Sequence, residues 1–120
     1  MTVSNMETND KPSPAIQCLE NFLNYLEAKG KSYSDIVIGK TDKNGDRNLE
    51  PDYITDGFTY FSVFYSAPIP QIDHILDQFS ERFCNYPLFK IKNDPNADYR
   101  DATYLFMAIK HSVESIDELN

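Results

Sequence analysis

Three carboxylates recur four residues apart in the segment from Pro70 to Cys84, where Asp73, Asp77 and Glu81 follow one another. The apolar residues of this segment recur three and four apart, which is the spacing of one face of an α-helix. They are Ile72, Ile75, Leu76, Phe79 and Phe83. A helix rises about 1.5 Å per residue, so carboxylates four apart stand roughly 6 Å apart along its axis. Like charges at this spacing weaken a helix slightly, so stability alone does not favour the row.

Two further groups of acidic residues lie outside this predicted helix. The first follows a predicted loop and consists of Asp94, Asp98 and Asp101. The second forms an arm and consists of Asp46, Glu50, Asp52 and Asp56. Duplex DNA carries one negative charge per ~1.7 Å of its axis, so carboxylates repeated along a rigid scaffold approximate a row of phosphates. We therefore expect all of these carboxylates to contact a partner protein.

The charge balance decides which kind of partner is expected. The chain carries 19 acidic and 11 basic residues, for a net charge of -8. Phosphate contacts need Lys and Arg, so this excess opposes direct binding to nucleic acid. An acidic excess also serves solubility alone. Here it is gathered on predicted loops, one helix face and the tail, whereas residues 57–69 carry no charge. This distribution indicates a surface that attracts a basic protein.

The segment Asp42–Asp46 begins like an EF-hand calcium loop, in which positions one, three and five supply oxygen ligands. Position six of such a loop should be Gly and is Arg47, and position twelve should be Glu and is Tyr53. The flanking residues also read as a strand rather than a helix. We therefore interpret Asn44-Gly45 as a hairpin turn and predict no metal site.

His74 and His111 are the only histidines, and neither lies in a recognisable nucleophile, metal or hydrolase motif. We therefore predict no enzyme and no cofactor, with a small enzyme built around His74 as an alternative. Four tyrosines fall in or beside predicted turns and are either packed at a sheet edge or available to an interface. They are Tyr33, Tyr53, Tyr86 and Tyr99.

A chain of 120 residues has room for one domain, which we place at residues 13–120 after a polar, untethered segment at 1–12. The first residues contain no basic n-region and no apolar h-region, so we expect no signal peptide. No apolar run approaches the ~20 residues of a bilayer span, so we expect a soluble protein with no membrane partner. Cys18 and Cys84 lack metal spacing, and we expect two reduced, buried thiols in a cytoplasmic protein.

The patterns along the chain predict the order α-β-(β)-β-α-β-β. Ser13 can cap a first helix that begins at Pro14 and ends before Gly30. Strands are predicted at residues 35–40, weakly at Leu49, and at 58–66, 88–92 and 103–110. Aromatic or β-branched residues lie on both faces of the strand predicted at 58–66, which predicts that it is central in its sheet. We expect the α+β class, with an antiparallel sheet of four to five strands and two main helices against one face.

The chain resembles the small acidic bacterial DNA-mimic proteins in length, acidity and carboxylate rows, chiefly Asp73, Asp77 and Glu81 with Asp94, Asp98 and Asp101. These proteins share charge geometry and not a motif, so no family residue can be assigned to a position here. The resemblance implies a monomer that binds a basic DNA-binding protein, such as the histone-like protein HU, and competes with DNA for it. The alternative is a secretion-chaperone or immunity-type protein-binding module, which would also be small, acidic and α+β.

Overall fold

The structure is a computed structural model that describes residues 13–100 and 102–111. The expected untethered segment 1–12, the predicted site residue Asp101 and the tail 112–120 lie outside the described residues. The helices are α1 (Pro14–Ala28), α2 (Gly45–Asn48), α3 (Glu50–Thr55) and α4 (Ile69–Arg82). The strands are β1 (Tyr33–Thr41), β2 (Tyr60–Ala67), β3 (Phe89–Ile91) and β4 (Thr103–His111). None of the described helices is long and apolar enough to cross a bilayer.

The four described strands form one sheet in the order β2-β4-β1-β3, with helices interleaved between them in sequence. The predicted α+β class is confirmed. β4 pairs antiparallel with β1 and with β2, but β3 pairs parallel with β1, with Ile36 opposite Phe89. The sheet is therefore mixed and not wholly antiparallel as expected. Parallel neighbours need a long crossover, which the chain between β1 and β3 supplies through β2 and α4.

The prediction that the aromatic strand is central is wrong, because β2 lies at one edge of the sheet. Its apolar residues face two different layers. Tyr60 packs against the core beneath α1 and α4, while Phe61 and Val63 pack against a smaller cluster on the opposite face. Tyr53 of α3 and Phe58 belong to that second cluster. Helices on both faces, and not a second neighbouring strand, account for the apolar residues on both sides of β2.

The predicted hairpin at Asn44-Gly45 and the weak strand at Leu49 are also wrong, because α2 and α3 occupy this segment. The backbone N–H of Asn44 donates to Asp42 Oδ1 at 2.8 Å, which turns the chain directly into α2. A hairpin return would have to pair beside β1, where β4 and β3 already occupy the two edges. The two short helices instead cover the far face of the sheet.

The main core lies between the sheet and the helices α1 and α4. The caps of α1 are as predicted: the Ser13 side chain accepts from the N–H of Ala15, and Gly30 follows the helix at φ +76°. The cysteines are free, as expected, but both are exposed and not buried. Cys18 lies on the outer face of α1 between the buried residues Ile16 and Leu19, and its exposure follows from the helical period.

Candidate functional site

The row of carboxylates on α4 is fixed by the opposite side of the same helix. Ile72, Ile75, Leu76 and Phe79 are buried in the main core, so the helix cannot rotate about its axis without exposing them. Asp73, Asp77 and Glu81 all lie on the exposed side, as the spacing predicts. The buried face therefore holds the row at the ~6 Å intervals of a helix.

Only part of this row is free of cationic neighbours. Lys40 Nζ lies 2.7 Å from Asp73 Oδ1, so the first carboxylate of the row is neutralised by the end of β1. Within residues 13–100 and 102–111, the ion pairs involve Lys40, Arg82 and Arg100, and none of them reaches Asp77 or Glu81. The uncompensated charge of α4 thus lies in its second half.

Asp94 does not belong to an exposed row, in contrast to the expectation. It is 6% exposed and lies against the end of β1. The hydroxyl of Thr41 donates to Asp94 Oδ2 at 2.9 Å, and the N–H of Asn96 donates to Asp94 Oδ1 at 2.9 Å. Both oxygens therefore serve the fold, and the carboxylate fastens its loop to β1.

Asp98 is exposed but carries its own cation. Arg100 donates to it from Nη2 at 2.8 Å and from Nε at 3.0 Å, and the N–H of Arg100 adds a third contact at 3.1 Å. The hydrogen bonds from the Arg100 side chain and backbone lower the pKa of Asp98 to about 2. With Asp94 buried and Asp98 paired, the predicted loop row reduces to one neutralised group among the described residues.

We expect replacement of Arg100 by Gln to raise the pKa of Asp98 from about 2 toward its ordinary value of 3.8. The paired carboxylate contributes stability above its unfolded-state pKa, and this contribution is lost as the pH falls through the folded-state value. This contribution to stability is therefore lost as the pH falls from about 4 to about 2. Carboxyl-detected NMR titration of both proteins measures the shift. An Asp98 that titrates at the same pH in both would contradict the ion pair.

Three of the four carboxylates of the acidic arm line two separate clefts. Asp52 and Asp56 line a cleft of about 330 Å³ together with Asp94 and Lys92, over a floor that includes Phe106. Its neighbour Tyr53 has a raised pKa, chiefly because of burial and then because of the charges of Asp94 and Asp56.

Glu50 lies on the other side of the short helices and lines a separate groove of about 400 Å³. Asp46 is exposed and accepts from the N–H of Arg47 at 2.8 Å. All four arm carboxylates are at the surface, but they do not form one continuous row.

The sequence analysis did not predict the hydrogen bonds that hold the 93–99 loop against β1. The hydroxyl of Tyr99 lies 3.0 Å from the carbonyl oxygen of Lys40 and 3.1 Å from that of Asp94. Burial, followed by the charges of Asp94, Asp42 and Asp73, raises the pKa of Tyr99 to about 12. Of the four tyrosines near turns, this one holds the end of β1 through its hydroxyl.

Asp42, Asp94 and Asp98 each accept from the backbone N–H two residues ahead. This is the Asx turn, and the repeated spacing Asp-x-Asn at residues 42–44 and 94–96 is its sequence signal. Asp42 also accepts the N–H of Asp98 at 2.8 Å, so its two oxygens bind the chain at both sides of the loop. These carboxylates build local structure.

The described residues contain no group of three or more His, Cys, Asp or Glu side chains that could hold a metal ion. His74 is exposed on α4. Comparison with protein-family models, with curated proteins and with solved structures finds no match for this chain.

Proposed function

We propose that this protein binds a basic DNA-binding protein of the histone-like HU type through its exposed carboxylates and competes with DNA for it. The observation that carries the proposal is the second half of α4. There, Asp77 and Glu81 project from a helix whose opposite face is locked into the core, without an ion pair to any described residue. Charges held on a rigid element keep their spacing when a partner approaches.

The electrostatics support a partner with many lysines and arginines. The whole chain carries a net charge of -8, and few of its described carboxylates are compensated by neighbours. Complementary charge accelerates encounter and rejects acidic competitors, and its effect weakens as salt rises because the Debye length falls to about 8 Å at physiological ionic strength. A partner that reads DNA phosphates offers the matching cationic surface.

The proposed contact set is narrower than the one predicted from sequence. It consists of Asp77 and Glu81 on α4, with Asp46, Glu50, Asp52 and Asp56 on the short helices as flanking charges. Asp73 and Asp98 already have cationic partners, and Asp94 is buried. These three residues therefore contribute little to the proposed surface.

We expect the double variant Asp77→Asn, Glu81→Gln to bind an HU-type protein about tenfold or more weakly than the wild type at low salt. The reason is the loss of two uncompensated charges from a rigid row, where removing close charge pairs across an interface costs more than 1 kcal/mol. Fluorescence anisotropy of a labelled duplex bound to the HU-type protein measures the concentration of each variant needed to release the DNA.

The matched control raises the net charge by the same amount on α1, with Asn24→Lys and Ala28→Lys at exposed positions. This control should compete nearly as well as the wild type, because it leaves α4 unchanged. Equal loss in both variants would show that only net charge matters. Failure of the wild type to release the duplex at low salt would contradict the proposed function itself.

A second candidate is the protein-binding module of the secretion-chaperone or immunity type, of which a chaperone would hold its client through apolar contact. It is favoured by the groove of about 400 Å³ beside β2, which Phe22 and Ile54 line. Ile54 is 47% exposed although it is large and apolar. Binding of a client through this groove should change little with salt, whereas binding through α4 should weaken steeply.

A further inference from the structure

The two edges of the sheet are built very differently. β3 forms one edge, has only three residues and carries the exposed Lys90 at its centre. Short edge strands and lysines are the common protections against pairing with another chain. β2 forms the other edge, pairs with β4 on one side only among the described strands, and has eight residues. It therefore offers a long row of backbone groups on its outer side.

The edge strand β2 lacks charge protection. No residue from 57 to 69 is charged, although the chain as a whole carries 30 charged side chains among Lys, Arg, Asp and Glu, 11 basic and 19 acidic. The sole irregularity in its pairing with β4 lies between Val63 and Tyr65, in the middle of the strand. Apart from this irregularity, which is itself a protection, β2 is a long, uncharged, aromatic edge of the kind that pairs with a further strand.

A groove lies along the first half of this edge. Tyr60, Phe61 and Ser62 of β2 line it, with Phe22 of α1 on one side and Ile54 of α3 on the other. Its volume is about 400 Å³, and Glu50 is its one charged lining residue. The walls come from opposite faces of the sheet, so a strand added beside β2 would be held between them.

We infer that the occupant of this edge is the β2 strand of a second copy of the chain, paired antiparallel about a twofold axis to form a continuous sheet. The distribution of charge indicates where two copies of the chain can meet. Two chains of net charge -8 repel each other wherever acidic surfaces meet, and residues 57–69 are an uncharged stretch that meets itself across the axis.

The contact runs along a full strand. A strand of eight residues is about 27 Å long, so the outer row of backbone groups of β2 can pair with that of a second copy over its whole length. The twofold pairing also sets residues 60–62 opposite residues 65–67 of the second copy, so Glu50 faces an uncharged strand end and not its own equivalent.

The test is the oligomeric state of the full chain, measured by sedimentation equilibrium across the micromolar range. We expect the wild type to sediment at twice the chain mass. Ser62→Glu with Ser66→Glu should raise the dimer dissociation constant about tenfold or more, because it brings four negative charges into a contact that otherwise carries none. The control Gln71→Glu with Ser80→Glu adds the same charge at exposed positions of α4 and should leave the dimer intact.

Ser66 is exposed and Ser62 half-buried, so Ser66→Glu alone serves as the second variant if the double variant does not fold. A monomeric wild type would overturn the inference, whether the edge is bare or covered by another part of the chain. A β2 variant that dimerises as tightly as the wild type would overturn it as well. This inference is independent of the proposed DNA competition, since the α4 carboxylates are unchanged in every variant.

Discussion

Replacement of Phe79 by Ala should lower the free energy of unfolding by about 3–5 kcal/mol, because it removes a fully buried aromatic side chain and leaves a cavity. Phe79 is 0% exposed, lies on the buried face of α4, and has the rings of Phe83 and Phe89 each 6.3 Å from its own. A domain of this size has roughly 6–18 kcal/mol of total stability, so the loss is a large fraction of it. The position of the carboxylate row on α4 depends on the burial of Phe79.

Urea denaturation followed by circular dichroism measures the change. The matched control is Tyr25→Ala, which truncates an aromatic side chain that is 54% exposed on α1. We expect the control to cost about 1 kcal/mol or less, as for surface substitutions in general. If both variants lost the same stability, the packing of α4 described here would be wrong.

Replacement of Gly39 by Ala should destabilise the protein by about 3 kcal/mol, at the upper end of the usual cost of overpacking. A Cβ at this position would overlap the backbone carbonyl of Lys92 and would lie 2.9 Å from Cε1 of Phe106. A backbone carbonyl cannot move aside as a flexible side chain can. The added methyl group must push the start of the 93–99 loop away from β1.

The same urea experiment applies, with Ser34→Ala as the control in the same strand, where a Cβ is already present. We expect less than about 1 kcal/mol for the control. Displacement of the loop should also disturb Asn93, whose side-chain Oδ1 accepts from the N–H of Lys40 at 3.0 Å. A stable Gly39→Ala protein with an unchanged amide spectrum around Lys40 would contradict the close approach of the two segments.

Local sequence patterns predicted the structure correctly wherever a residue's position depends on its neighbours along the chain. The 3.6-residue period identified both long helices, and it placed Asp73, Asp77 and Glu81 on the exposed side of α4. The alternation of apolar residues in 88–92 and the apolar run within 103–110 also located β3 and β4 to within one or two residues. Helical period and capping are properties of short segments, so they can be read without the fold.

The predictions failed where the answer depends on what packs from elsewhere in the chain. The aromatic strand β2 was expected at the centre of the sheet because apolar residues on both faces are typical of a central strand. An edge strand that helices cover on both faces shows the same pattern. The segment 42–56 was expected to form a hairpin, since Asn-Gly is a favoured turn dipeptide. The occupied edges of β1 decide against it.

The sequence by itself determined the acidic charge, the α+β class and the amphipathic helix that carries the carboxylate row. The tertiary structure alone decided which carboxylates remain available. Lys40 reaches Asp73 across 33 residues, and Thr41 reaches Asp94 across 53. The physical reason is that the availability of a charge depends on its neighbours in space. These neighbours are set by the packing of β1 against α4 and the 93–99 loop.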